Sequence, residues 1–139
     1  MPHTPAHVKS VEIRWRDMDG FNHVNNSSYL TYLEEARDEL LTGLLGAETT
    51  HRIVLRRVEL DFLSGLTQSD DRAQVELRVV GIGSSSVTTE ELIRAASDGR
   101  VAARARAVTV YTNDARDAAE PLPGPVRELL MPLLEQPAP

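Results

Sequence analysis

The chain contains no cysteine and no apolar run long enough to cross a membrane. Without cysteine it can form no disulfide, no thiolate metal site and no cysteine nucleophile. Its opening segment, MPHTPAHVKS, lacks the apolar core of a signal peptide. We therefore expect a cytoplasmic protein that does not contact a membrane.

Positive charge is also limited, since the formal net charge is -6 and Lys9 is the only lysine. Binding to nucleic acid needs a basic surface, so we expect no nucleic-acid partner. Most arginines fall in the middle and later segments, where they suit a solvated strand face, although one or two could contact a phosphorylated carrier.

The chain has the size and composition of one globular domain. Its 139 residues are 41% hydrophobic and 26% charged, and that length is too short for two ordinary domains. We expect a single domain over residues 1–139, with flexible ends at 1–7 and 136–139.

Hydrophobic periodicity predicts one long helix and five strands. Val11, Ile13 and Trp15 alternate with charged residues and predict a first strand, and a polar loop follows over 17–26. Apolar residues at three- and four-residue steps predict a helix over 27–46. Alternation then predicts four more strands, at Ile53–Phe62, Arg72–Ile82, Ser86–Ala95 and Arg100–Thr112.

Two connecting segments complete this pattern. Ser97-Asp98-Gly99 is a hairpin turn signal, and the tail VRELLMPLLE permits a short helix after its prolines. A long amphipathic helix followed by an antiparallel meander predicts an α+β fold, in which a curved five-stranded sheet wraps around the helix. The open edges of such a sheet favour pairing with a second copy.

The loop over 17–26 concentrates polar groups just before the helix start, where unpaired amides and the helix dipole stabilise an anion. Asp17 and Asp19 would share one side of an extended segment, and either ionised carboxylate could act as a nucleophile or base. The alternative is structural, in which both carboxylates cap the loop or pair with Arg14 and Arg16.

His23 is the one histidine in a polar, ordered setting, but such a residue is more often a hydrogen-bonded loop residue than a catalyst. His3 and His7 have the spacing of a zinc helix, but a proline lies between them and no acidic partner follows, so no metal site is expected. Turn formation or capping is the simpler role for three neighbouring asparagines: Asn22, Asn25 and Asn26.

The glycine-rich segment over 81–86 is too short for a dinucleotide fingerprint and does not precede a predicted helix. A turn between strands explains it first, and a backbone contact to a phosphate second. The chain has no G-x-S-x-G motif, which disfavours an ordinary serine hydrolase.

The segment VEIRWRDMDGFNHVNNSSYLTYLEEAR resembles the thioesterase branch of the hotdog superfamily, which includes 4-hydroxybenzoyl-CoA thioesterases. Weaker similarities are VELDFLSGL, VVGIGSSS and VTVYTND. The resemblance implies a hotdog fold and hydrolysis of an acyl-CoA thioester, with an acyl carrier protein as the alternative carrier. It also implies a homodimer or a dimer of dimers, and no cofactor.

In this family the second aspartate of the D-x-D pair is the catalytic nucleophile or general base, and here that residue is Asp19. The plant acyl-carrier-protein thioesterases pair it with a histidine that matches His23, although Phe21 replaces their intervening asparagine. Other relatives carry a histidine or tyrosine where this chain has Asn26, so the partner of Asp19 is open between His23 and Asn26. The implied substrate-binding residues are Asp17, Asn25, Tyr29, Gly83, Ser84 and Ser85.

Two other functions stay open from the sequence. A hotdog hydratase or dehydratase would also use an acid and a histidine, but for proton transfer at carbon. A non-catalytic protein could hold the acyl thioester without turning it over.

Overall fold

The structure is a computed structural model that describes residues 4–135. It contains five strands and three helices over that range, and short 3-10 turns at Trp15–Asp17, Gln68–Asp70 and Met131–Leu133. The helices are α1 (Asn26–Leu45), α2 (Ala47–His51) and α3 (Gly124–Leu130). The strands are β1 (His7–Glu12), β2 (Ile53–Phe62), β3 (Arg72–Ile82), β4 (Ser86–Ala95) and β5 (Val101–Tyr111).

The five strands form one antiparallel sheet in the order β1-β3-β4-β5-β2. α1 packs on one face of it, mainly against β1, β3 and β4. Inward residues alternate with outward ones, so that β3 buries every second side chain beneath α1. The predicted α+β class and the predicted five-stranded sheet with one long helix are confirmed.

The helix predicted over 27–46 is confirmed, with each end one residue earlier. The Asn25 side chain accepts the Ser27 amide at 3.1 Å and caps the first turn. Gly46 has a φ of 87°, a conformation that glycine adopts without strain, and it ends the helix.

The first strand differs from its prediction. β1 begins at His7, so the flexible start predicted through residue 7 is wrong there, and the strand ends at Glu12 before Trp15. The Arg14 amide donates to the Asp17 carboxylate at 3.0 Å, which tightens the chain into a turn and leaves Trp15 80% exposed. The predicted flexibility of 136–139 lies outside the described residues.

The edge strand β2 carries an apolar face beside a β5 face that is rich in alanine. Cross-strand pairing places the β2 residues Ile53, Leu55, Val58, Leu60 and Phe62 opposite Tyr111, Thr109, Ala107, Ala105 and Ala103 of β5. Leu55 and Phe62 are nearly half exposed. We call this apolar part of β2 the shelf, because α1 packs mainly toward the opposite edge of the sheet and leaves it partly open.

The core beneath α1 consists of two apolar clusters. One includes Leu33, Ala36 and Ile93, and the other includes Leu41 and Val87. Three further buried residues of the sheet are polar: Thr89, Glu91 and Thr109.

Over residues 4–135, no helix combines the length and the apolar character that a membrane crossing requires.

Candidate active site

Asp17 fixes the loop between β1 and α1 from within the protein. Its carboxylate is 4% exposed and accepts hydrogen bonds from the Arg14 side chain at 3.0 Å and the Tyr32 hydroxyl at 2.8 Å. Burial alone would raise the pKa of Asp17, but the hydrogen bonds from Arg14 and Tyr32 outweigh it and lower that pKa. Asp17 is therefore an ionised structural anchor.

The main chain of Asp17 joins this anchor to the helix. Its carbonyl accepts the Asn25 amide at 2.8 Å and the Ser28 hydroxyl at 3.4 Å. The next residue, Met18, forms a bridge with Val24. The two ends of the loop over 19–23 are therefore held together by main-chain contacts.

Asp19 closes a tight turn within this loop. Its Oδ1 atom accepts the Phe21 amide at 2.8 Å and the His23 amide at 3.1 Å, while its own amide donates to the His23 carbonyl at 2.8 Å. The amides of His23 and Phe21 lower the pKa of Asp19, so the carboxylate is ionised at neutral pH. Within residues 4–135, Oδ2 forms no hydrogen bond.

A cleft of about 420 Å³ brings the main candidates together, and we call it the Asp19 cleft. Four predicted site residues line it: Asp19, His23, Asn26 and Tyr29. The Asn26 amide is the first of α1 and forms no hydrogen bond to any residue between 4 and 135. An unpaired amide at a helix start can stabilise a developing oxyanion.

The opposite wall of the Asp19 cleft is the loop that follows β2. Gly65 lies against His23 so closely that a Cβ atom there would be 3.1 Å from the His23 Cδ2 atom. The Leu66 amide donates to the Tyr29 hydroxyl at 3.1 Å, and the Leu66 carbonyl accepts the Val24 amide at 2.8 Å. This loop therefore fixes both the imidazole and the phenol.

A partly buried ion pair holds that wall in place. Arg100 donates to the Gly65 carbonyl at 2.7 Å and to the Asp70 carboxylate at 2.9 Å. Hydrogen bonds from Arg100 hold the pKa of Asp70 well below its usual range, although burial opposes them. The sequence analysis missed this support, because the contacts join residues about 30 positions apart along the chain.

Asp19 and His23 also face a depression on the outer side of the loop. Trp15 is 80% exposed and Phe21 is 85% exposed, and both line it together with Arg16. Arg16 forms no hydrogen bond or ion pair within the described part of the chain. Asp19 thus lies between the Asp19 cleft on the inner side of the loop and this depression on the outer side.

The other predicted site residues lie elsewhere. Asp17 and Asp19 do not share a face as predicted, because the 3-10 turn directs Asp17 into the core. The Asn25 side chain is occupied by capping Ser27. The turn with Gly83, Ser84 and Ser85 joins β3 to β4 at the end of the sheet opposite the Asp19 cleft, where its carbonyls accept Leu122 and Arg127.

Among residues 4–135, no three acidic, histidine or cysteine side chains are grouped closely enough to hold a metal ion. The chemistry available in the Asp19 cleft is that of a carboxylate, an imidazole, amides and a phenol.

Comparison with known proteins identifies proteins that this chain resembles. A sequence model of the thioesterase-like superfamily matches residues 13–130. A Thermus thermophilus thioesterase, solved with coenzyme A and zinc, is 30% identical over 99% of this chain and 100% of that one, with a TM-score of 0.85. A Bacillus stearothermophilus protein described as a predicted thioesterase is 26% identical over 95% and 98% of the two chains, with a TM-score of 0.84.

A third solved structure shares the fold alone. The 1,4-dihydroxy-2-naphthoyl-CoA thioesterase of Synechocystis is 20% identical over 91% of this chain and 96% of that one, with a TM-score of 0.77. No curated protein sequence gives a significant match.

Proposed function

The chain belongs to the thioesterase-like superfamily and hydrolyses acyl thioesters, and on this premise we propose that it cleaves acyl-CoA with Asp19 as its catalytic carboxylate. The observation that carries the proposal is one cleft in which an ionised carboxylate lies beside the unpaired amide that begins α1. The carboxylate is held by two backbone amides through one oxygen, which leaves the other oxygen for chemistry.

The reaction begins with the thioester carbonyl at the start of α1. The Asn26 amide donates to the carbonyl oxygen and stabilises the negative charge that develops there. Asp19 then either attacks the carbonyl carbon or removes a proton from a water that attacks it. The carbon–sulfur bond breaks, and the thiolate leaves with its electron pair. Where Asp19 is the nucleophile, a water then cleaves the acyl–Asp19 anhydride, which releases the acid and restores the carboxylate.

His23 and Tyr29 orient the reacting groups. The position of His23 over Gly65 restricts how its ring can turn, so that it can hold the attacking water or donate a proton to the thiolate. The Tyr29 hydroxyl already accepts the Leu66 amide, and its own proton is available for the carbonyl or the water.

CoA is the proposed carrier because the Thermus thermophilus relative was solved with coenzyme A; an acyl carrier protein is the alternative. The carrier arm passes over the outer depression, where Trp15 and Phe21 offer aromatic surface and Arg16 offers a cation without a partner in residues 4–135. The acyl group extends the other way, over the shelf of β2.

We further propose a homodimer, or a dimer of dimers, formed through β2. The outer edge of this strand is unpaired within the described residues, and Phe62 and the adjoining Leu63 are about half exposed. Antiparallel pairing of two β2 strands would cover the shelf. In such a dimer, the turn of Gly83, Ser84 and Ser85 from the second copy would be a further contact for the carrier. Sedimentation equilibrium tests this, and a monomer at micromolar concentration would contradict it.

The function is tested by measuring thiol release from a panel of acyl-CoAs, with Asp19→Asn beside the native protein. General acid–base groups contribute about 10²–10⁴-fold, so we expect a loss of at least about 100-fold. Gly20→Ala is the matched control, because a Cβ atom at Gly20 meets nothing within 4 Å. Native turnover by Asp19→Asn would refute the role of Asp19, and double-bond formation without thiol release would favour a hydratase.

A further inference from the structure

A second cleft of about 440 Å³ lies against the later half of α1, and we call it the Arg37 cleft. Its walls come from α1, α2 and the first residues of β2, together with Thr109 of β5. The Asp19 cleft touches the start of α1 and the end of β2, so the two clefts lie at opposite ends of one seam between this helix and this strand.

Arg37 is a buried cation that opens into this second cleft. The residue is 5% exposed, and its Nη1 atom donates to the Glu91 carboxylate. Its Nε and Nη2 atoms have no hydrogen-bond partner within residues 4–135. In that range, Glu135 Oε1 is the only side-chain nitrogen or oxygen that is both closed off from solvent and without a hydrogen bond. The two Arg37 atoms must therefore be accessible to solvent. Because Arg37 lines the cleft, we infer that these N–H groups are reached through it.

A buried ion pair of this kind does not by itself stabilise a fold. Glu91 is fully buried and also accepts the Thr89 hydroxyl at 2.9 Å, so the polar group interrupts the apolar core. Burial raises the pKa of Glu91, and Arg37 opposes that effect. Well-packed apolar residues often replace such a pair with no loss of stability, so its presence calls for another explanation.

The seam between the two clefts is suited to an acyl chain. The Tyr29 and Phe62 rings meet at its first end with centroids 5.2 Å apart, and the shelf runs from Phe62 back to Leu55 at the second end. Tyr29 and Arg37 are eight residues apart, which corresponds to about 12 Å along a helix. An acyl chain of about that length, leaving the thioester along the shelf, would therefore reach Arg37.

We propose that the Arg37 cleft binds the far end of the acyl group through an uncharged oxygen, a hydroxyl or a keto group, which accepts hydrogen bonds from Arg37. An uncharged group is favoured because Glu91 already neutralises Arg37. At the rim of the cleft, the carboxylates of Glu34 and Asp38 outnumber the Arg116 cation two to one, which further disfavours an anionic end. This inference rests on the proposed function and identifies its substrate as an oxygenated acyl-CoA.

The test compares acyl-CoAs of equal chain length with and without a terminal hydroxyl, from hexanoyl to decanoyl. The native protein should favour the hydroxylated substrate in kcat/KM by about 10-fold for at least one length, as expected for one hydrogen bond to a charged donor. Arg37→Met with Glu91→Leu replaces the ion pair by apolar residues of similar size, and it should abolish or reverse that preference while hydrolysis of the plain acyl-CoA continues.

Asp38→Asn is the matched control, because it changes the rim of the same cleft and leaves the ion pair intact. It should keep the native preference. Equal native rates on both substrates would overturn the inference, as would a preference that survives in the double variant or disappears in Asp38→Asn. If the double variant does not fold, the native comparison decides alone. Absence of thiol release from every acyl-CoA would instead refute the proposed function itself.

Discussion

Asp17 and Asp19 have the same side chain two positions apart, and the structure predicts opposite consequences when each becomes asparagine. The Asp17 carboxylate is buried and accepts the Tyr32 hydroxyl at 2.8 Å as well as two groups of Arg14. An amide in its place removes the negative charge and turns an NH₂ group toward one of these donors. Asp17→Asn should therefore lower the stability of the fold.

The loss of stability expected for Asp17→Asn follows from the Tyr32 contact. A hydrogen bond to a charged group contributes about 2 kcal/mol when it is buried. The Arg14 side chain is half exposed, so solvent screens its share and we assign it no figure. For a chain of this size, a loss of about 2 kcal/mol lowers the melting temperature by about 8 °C.

Thermal melts followed by circular dichroism, run beside thiol-release assays, test this contrast. Asp17→Asn should melt about 8 °C lower and keep measurable activity at low temperature. Asp19→Asn should melt like the native protein, since the asparagine oxygen can still accept the Phe21 and His23 amides, and its activity should fall by at least about 100-fold. A native melting temperature for Asp17→Asn would refute the assignment of Asp17 as an anchor.

The remaining predictions concern the wall of the Asp19 cleft and the response to acid. Alanine at Gly65 would press its Cβ atom to 3.1 Å from the neighbouring imidazole, so kcat should fall by up to about 10-fold while Gly20→Ala keeps native turnover; equal kcat values would contradict this. Hydrogen bonds in the fold lower the pKa values of both Asp17 and Asp70. The stability that these two carboxylates contribute to the fold is therefore complete above the unfolded pKa near 3.9, and it is lost as the pH falls through their folded pKa values. Urea unfolding from pH 7 to pH 3 should show stability declining below about pH 4, less steeply in Asp70→Asn, and a flat profile would exclude this linkage.

Local patterns predicted those strands that combine residues of high strand propensity with turn residues at their ends. The bounds of β2, β3 and β4 match the predicted ranges, because each strand has one inward and one outward face and turn residues at its ends. The end of β1 and the short helix α2 were not found in this way. The first depends on the Arg14 and Asp17 contact, and α2 is too short for a periodic signal.

The candidate site was predictable in its residues but not in its division of roles. Spacing left Asp17 and Asp19 equivalent. The Asp17 anchor is distinguished by its bonds from Arg14 and by its contact with Tyr32, which lies fifteen positions later in the chain. The wall formed by Gly65 and its support from Arg100 depend on pairings between distant segments. The same is true of the Arg37 and Glu91 pair, which has no local sequence signal.

The backbone closure of the loop over 19–23 has a consequence for how this protein can diversify. Its two ends are tied by main-chain atoms, through the Met18 and Val24 bridge and the bond from Asn25 to the Asp17 carbonyl. Side chains at the tip, such as the outward Phe21, can therefore be exchanged without displacing the carboxylate. Related proteins could acquire new carriers by varying this tip while the hydrolytic step stays the same.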